Sequence, residues 1–418
     1  MVHIRPFRGL RPKLELTSKI ASKPYDVLDS EEAREELKKE PFSFLQIAKP
    51  EINFTPPINP YDDAVYEKGQ EIFQQFIAKG YLVRDQEPSM YIYSQVMNGR
   101  RQTGIIAGSS IDDYFDNTIK KHELTRTAKE NDRIKHMKTQ MAQPGMVFLT
   151  YRKVNEIDQL VAEITKEKPL VEFTDEQHVT HQLWKISDPD TLQNIQTLFE
   201  TKVPCSYIAD GHHRSAASAK VGQAIRDEKG SYTGHEPFNF FLSCLFPSNQ
   251  LQIIDYNRVI KDLNHHSNDE ILALIGKNFD IKKAPQLYKP SKVHEFSMYL
   301  DKQWYILNAH PNTYDDTNPI QSLDVTVLSD YVLDPIFGIK DQRTDDRIDF
   351  VGGIRGLEAL SRRVDQGEMA IAFAFYPVTL DQLMAIADDG LIMPPKSTWF
   401  EPKLKSGLVI NLLEDISK

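Results

Sequence analysis

The chain has 418 residues, 40% of them hydrophobic and 26% charged, with a net charge of −10. That length holds two or three cores, the acidity argues against a general nucleic-acid binder, and no run of 18 apolar residues suggests a membrane span. The opening residues Met1 to Arg8 carry charge without an apolar run, so no signal peptide is expected. The only two cysteines, Cys205 and Cys244, lie in apolar runs and point to free thiols in a reducing cytoplasm.

Residues 1–60 are proline-rich and read as an irregular arm packing on the core. Within it Lys23-Pro24-Tyr25-Asp26-Val27 stands out, followed by an acidic helix that Asp29 or Ser30 caps. Apolar residues Val65, Ile72, Phe73, Phe76 and Ile77 recur at helical spacing and predict a helix over 62–78, stopped by Gly80. Strands follow at Met90–Met97 and Thr103–Ile111, joined by the hairpin dipeptide Asn98-Gly99. Helix and strand then alternate: helix 126–141, strand 146–151, helix 155–167, strand 178–186, helix 189–201, strand 205–209 and helix 212–229. After a break at Gly230–Pro237 comes an apolar strand at Phe238–Phe246. The remainder predicts strands at 296–300 and 303–308, helix 323–332, strand 348–351, helix 354–365, strand 369–376, helix 380–388 and a last strand at 408–412. The pattern is a mixed α/β (α+β) protein of two lobes. The arm covers 1–60, a core 61–235, and a second α/β lobe 236–418.

The most specific chemistry lies at Asp210-Gly211-His212-His213-Arg214, where an apolar strand passes through glycine into a helix rich in alanine. Glycine permits the tight turn. The helix start adds unspent N–H groups and a positive dipole end, so the imidazoles and guanidinium make an anion seat suited to phosphate. Adjacent histidines on a helix project about 100° apart, which argues against a shared zinc. Asp210 holding Mg²⁺ whose shell is completed by substrate phosphates suits the sequence better.

A second cluster puts His122, Arg126, Lys129 and Arg133 on one helical stripe, with Glu123 at its entry placed to act as a base. A solvated face, with Lys129 and Arg133 paired to nearby acids, gives the same pattern. Gly352-Gly353-Ile354-Arg355-Gly356 is either a tight turn or a further phosphate contact, without dinucleotide-fingerprint spacing. The stretch Met393 to Leu408 is stiffened by Pro394, Pro395 and Pro402 and mixes Lys396, Ser397, Thr398, Lys403 and Lys405 with Trp399 and Phe400. It reads as a ligand loop or as the anchor of the C-terminal segment.

Together Pro6-Phe7-Arg8-Gly9-Leu10-Arg11-Pro12, His122-Glu123-Leu124-Thr125, Asp210 to Arg214 and Met393 to Leu408 resemble a large bacterial and archaeal family of unknown-function proteins. That family is related to the free serine kinases of the ParB/sulfiredoxin-like superfamily, and the likeness spans nearly the whole chain. It implies a ParB/sulfiredoxin-like catalytic core over 61–235 and phosphoryl transfer from ATP or ADP to the hydroxyl of free L-serine. Glu123, Asp210 and His213 are then catalytic, with Glu123 taking the serine proton. Gly211, His212, Arg214, Ser215, Arg126 and Arg133 hold phosphates or nucleotide, Lys396, Ser397 and Thr398 form a substrate loop, and Mg²⁺ sits on Asp210. The implied partners are a nucleotide and a small hydroxyl compound, with no DNA and no membrane, and a second copy of the chain in a homodimer. A nucleotide-binding regulatory module of the partition type and a phosphohydrolase using the same seat are the alternatives.

Overall fold

Asn98 and Gly99 both take positive φ and turn strand β1 (Met90–Met97) back onto β2 (Arg100–Ser110), as their dipeptide predicts. The computed structural model describes residues 1–414 and builds a mixed sheet around this hairpin. Its other strands are β3 (Ile119–Lys120), β4 (Val147–Tyr151), β5 (Val171–Thr174), β6 (Thr180–Ile186), β7 (Ser206–Asp210) and β8 (Phe240–Pro247). They run β3-β7-β4-β8-β2-β1-β6-β5, and Ile4–Arg5 pairs with the far end of β2. The β7–β3 and β8–β4 pairs are parallel and the others antiparallel.

Alternation along the strands sends Ile92, Ile105, Leu149, Ile208 and Leu245 to one face. There they meet Ile157 of the helix Asn155–Ile164 and Leu192, Ile195 and Phe199 of the helix Pro189–Lys202. The expected arm is less irregular than its prolines suggest. Asp29 caps the helix Ser30–Lys39 through a capping box with Glu32. Phe44 and Ile47 are buried with Ile72, Phe73 and Phe76 of helix α1 (Asp63–Ala78). Helices α2 (Thr127–Gln140) and α3 (His212–Lys229) share a small core of Met137, Ala217, Val221 and Ile225.

The chain divides into two units, one of residues 1–121, 125–251 and 402 onward, the other of 122–124 and 252–401. The first unit therefore runs past the boundary expected at 235, because β8 is hydrogen-bonded between β4 and β2. It also takes back the segment from Pro402, which the sequence assigns to the second lobe; residues 415–418 lie outside the described residues. The second unit carries an antiparallel sheet. Its strands are β9 (Tyr256–Ile260), β10 (Phe279–Lys283), β11 (Glu295–Leu300), β12 (Gln303–Ala309), β13 (Ile348–Gly352) and β14 (Ile371–Phe375), ordered β10-β12-β11-β14-β9-β13. The mixed α/β class is as expected. Unexpected elements are β9, β10 and the helix Asn268–Ile275. Among the described residues no helix is long and apolar enough to cross a membrane.

Candidate active site

Strand β7 ends at Asp210, where its register against β4 shifts between Ile208 and Asp210. Gly211 follows at φ 95°, in the left-handed region, and α3 begins with no side-chain cap. The φ favours glycine, and a Cβ there would lie 3.2 Å from Arg214 Nε, crowding the guanidinium.

Arg214 is 5% exposed. Its Nη1 donates to the Met146 carbonyl (2.5 Å), and Nη2 lies 3.6 Å from Asp26 and 3.9 Å from Asp210. Its Nε is buried without a hydrogen-bond partner. An unsatisfied buried donor is costly, and a ligand oxyanion is the group that most effectively satisfies a guanidinium. Burial works against its charge, but the Asp26 and Asp210 carboxylates outweigh that and hold the guanidinium firmly protonated.

Asp210 receives a hydrogen bond from Lys403 Nζ at 2.9 Å. Burial opposes ionisation of this carboxyl, but the Lys403 ammonium and then the Arg214 guanidinium prevail and hold it far below the usual carboxylate range. Lys403 is itself fixed from the sheet: Gln95 Nε2 donates to its carbonyl (2.9 Å), and Gln102 Nε2 donates to the carbonyl of Pro402 (3.3 Å). Two residues on, Lys405 Nζ pairs with Asp175 (2.6 Å), which also bonds His181 Nε2 (3.1 Å). His181 Nδ1 in turn meets the hydroxyl of Tyr93 (2.8 Å).

The two histidines do not supply the cationic character expected of them. Burial pulls His212 down to about 4, with the nearby Asp210 carboxylate only partly offsetting it, so its imidazole is neutral at pH 7. His213 Nε2 accepts the backbone N–H of Arg126 at 2.9 Å, which requires that nitrogen to be unprotonated. The fixed positive charge comes from Arg214 and Lys403 instead.

Other expected residues are placed differently. Ser215 Oγ turns back to the carbonyls of Gly211 (3.2 Å) and His212 (3.0 Å), inside the helix, and not toward a phosphate. Arg133 is buried, donates to Asp132 from Nε (2.9 Å) and Nη2 (2.7 Å), and lies over the Tyr25 ring at 4.0 Å. Its guanidinium is committed to the fold, as the paired-acid reading of the stripe allows. The stripe itself is not continuous: α2 starts at Thr127, Arg126 and Lys129 are exposed, and Arg133 is buried. Tyr25 is raised to about 12, chiefly by burial.

Glu123 belongs to the segment His122–Leu124 grouped with the second unit, where the Met393 N–H donates to the His122 carbonyl (2.8 Å). Lys396, Ser397 and Thr398 are also in the second unit. Ser397 Oγ donates to the Pro394 carbonyl (2.6 Å), and the carbonyls of Pro395 and Lys396 accept from the buried Arg258 guanidinium (2.9 and 2.8 Å). That loop is pinned through its backbone, and the Lys396 side chain is exposed. In the Gly352–Gly356 turn, Gly353 packs so closely on Asp255 that a Cβ would fall 2.5 Å from its carboxylate. That is the tight-turn reading.

Magnesium on Asp210 does not fit this geometry. Lys403 and Arg214, both cations, flank the carboxylate and occupy its oxygens. Sequence reasoning missed Lys403 and Asp26 as members of the site. Each lay in a stretch already singled out, but nothing local points either one at Asp210 or Arg214.

No curated protein matches the chain. Among solved structures it is similar to a free serine kinase in complex with AMP, at 12% identity over 72% of this chain and 91% of that one, TM-score 0.36. It is likewise similar to a conserved hypothetical protein from Pyrococcus furiosus (12% identity, 74% and 95% covered, TM-score 0.35). A third is C-terminally truncated SbnI from Staphylococcus aureus (9% identity, 75% and 90% covered, TM-score 0.38). A family model described as "Protein of unknown function (DUF1015)" matches residues 4–326, and the chain belongs to that family.

Proposed function

We propose that the chain is a nucleotide-dependent small-molecule kinase that moves a phosphoryl group from ATP or ADP to the hydroxyl of free L-serine, giving O-phosphoserine. The observation that carries this reading is the buried Arg214 guanidinium, with an unsatisfied Nε, beside Lys403 at the uncapped start of α3. Phosphoryl transfer asks the protein mainly to position reactants and neutralise equatorial oxygens. Arg214, Lys403 and the positive helix end supply that neutralisation in fixed positions, without reorganisation during the reaction.

In this scheme Asp210 remains a carboxylate at every working pH and holds the acceptor, through its ammonium or hydroxyl, against the phosphate. Gly211 and His212 line the phosphate, His213 holds the Arg126 backbone in place, and the hydroxyl proton passes to solvent as the new bond forms. The donor loses its terminal phosphoryl group as the serine oxygen forms the new P–O bond.

Purified protein incubated with ATP or ADP and L-serine yields O-phosphoserine on this reading, detected by mass spectrometry. Nucleotide turnover that ignores serine and every other amino acid or sugar offered sinks it, and release of inorganic phosphate alone assigns the seat to hydrolysis.

A further inference from the structure

In the second unit a histidine is held on three sides by groups that play no part in the kinase reading. His294 stands just before β11 at φ 64°, a left-handed backbone uncommon outside glycine. In that conformation its backbone N–H and its Nδ1 both meet one carboxylate oxygen of Asp324, at 2.8 and 3.0 Å. Asp324 is buried at the start of the helix Asp324–Leu328. Across the ring, Nε2 lies 3.1 Å from Asp316. One face of the imidazole is stacked on Tyr314, 3.6 Å between centroids and 13° between planes.

A carboxylate oxygen only accepts, so each ring nitrogen that faces one must carry a proton to bond it. The imidazolium alone does so at both ends. Burial works against that charge, but the bonds to Asp324 and then Asp316 outweigh it and raise His294 above its ordinary value of 6.5. Burial also raises the Asp324 carboxyl, with the bonds from His294 drawing it back. The Tyr314 face adds a cation–π contact that is full only while the ring is charged.

The other charged groups nearby have different work. Glu295, next in the chain, accepts the hydroxyls of Tyr288 (2.8 Å) and Ser291 (2.9 Å). His310, at the end of β12, pairs with Asp280 (3.2 Å). Asp315 accepts the N–H (2.9 Å) and hydroxyl (2.6 Å) of Thr317.

We propose that His294 is a pH-operated latch on the segment Tyr314–Thr317: as imidazolium it holds the segment at the start of β11 through Asp316 and Tyr314, and as neutral imidazole it releases it. The proton leaves from Nε2 to solvent, because Nδ1–H stays on the buried Asp324 oxygen that also takes the backbone N–H. Nε2 and Asp316 then meet lone pair to lone pair, and the Asp316 side chain, already 73% exposed, turns to water. Release is confined by anchors on either side. Thr313 is buried with its hydroxyl on the His310 carbonyl (2.7 Å), and the Asn318 carbonyl takes the Ser322 N–H (3.0 Å). A group raised on folding stabilises below its unfolded value and loses that contribution as pH rises through its folded one, so the latch is closed at pH 6 and open well above neutrality.

The test is hydrogen exchange of the full chain at pH 6 and pH 9, read by mass spectrometry on peptides covering 311–322, with the intrinsic pH dependence of exchange divided out. Exchange there is expected to be faster at pH 9 by about threefold or more, the scale of a partly exposed ion pair. Asp316→Ala, a surface change that leaves Asp324 in place, is expected to bring the pH 6 exchange close to the pH 9 level. It also lowers the His294 midpoint followed by imidazole NMR. Equal protection of wild type at the two pH values, or an Asp316→Ala chain that keeps the wild-type response, overturns the latch. A wild-type His294 midpoint at or below 6.5 overturns it without recourse to any variant.

Discussion

Asp210 and Lys403 stand 193 residues apart in the chain and 2.9 Å apart in space. Removing one leaves the other as an uncompensated charge beside Arg214, so the two substitutions are not additive. Lys403→Met is expected to weaken nucleotide binding by about tenfold or more. Asp210→Asn added to Lys403→Met costs less stability than the sum of the single changes, which a double-mutant cycle by urea unfolding reads directly. Gly211→Ala is the sharper residue-scale case. It forces a side chain into φ 95° and puts its Cβ at 3.2 Å from Arg214 Nε. The expected result is a loss of about 1–3 kcal/mol in stability, seen as a lower urea midpoint, together with loss of nucleotide affinity. The importance of Gly211 is legible in the sequence, since a glycine between a strand and a helix has few other uses. Lys403 is not legible there, because a lysine in a proline-flanked stretch carries no sign of which distant carboxylate it meets.

At the scale of elements, two acids, Asp132 buried and Asp175 partly buried, separate support of the fold from support of the site. Asp132 ties α2 to α1 by accepting from Arg133 and from the Tyr66 hydroxyl (2.7 Å). Asp175 ties down the segment that carries Lys403, through Lys405 and His181. Asp132→Asn and Asp175→Asn each strand a buried cation or histidine and are expected to cost about 3 kcal/mol, measured by urea unfolding. Only Asp175→Asn is expected to lower nucleotide affinity in the folded protein, which calorimetry on both variants decides.

The same scale shows why some elements are readable from the chain. Helices with a cap and a clean apolar stripe, such as α1 and the helix Pro189–Lys202, fall where spacing puts them. The expected strand 178–186 begins instead at Thr180, after a turn in which the Asp175 side chain accepts the N–H groups of Gln177 and Val179 and His178 takes φ 59°. Strand β9 escapes notice because it buries Asn257 and Arg258, and Arg258 donates to the carbonyls of Pro395 and Lys396, far along the chain. Strand β10 ends in Lys282 and Lys283 at the edge of its sheet, a composition that reads as loop.

For the molecule as a whole, two buried imidazoles set an acid limit. Burial holds His136 down to about 3 and His212 to about 4, against an ordinary value of 6.5. Between pH 6.5 and about 4 the unfolded chain binds protons there that the folded chain refuses, so stability falls as pH falls through that window. Each site contributes a loss on the order of 3 kcal/mol. The urea midpoint is expected to drop steeply from pH 7 to 4.5, and His136→Gln to remove about half of that slope. A pH-independent midpoint over the same range contradicts the buried neutral state of both rings. The mixed α/β class and a second lobe are readable at this scale from alternation alone. The boundary is not, because the apolar run at Phe240–Pro247 looks the same whichever sheet receives it.

The return of residues 402–414 to the first unit has a consequence in time as well as in space. During synthesis the strands from Met90 to Pro247 emerge long before Lys403, Lys405 and Ile410, which pair with Asp210, Asp175 and Leu10. Until the intervening residues 252–401 have left the ribosome, Asp210 has no lysine and the early sheet lacks its last partners. A growing chain therefore carries an unfinished anion seat until Lys403 reaches Asp210.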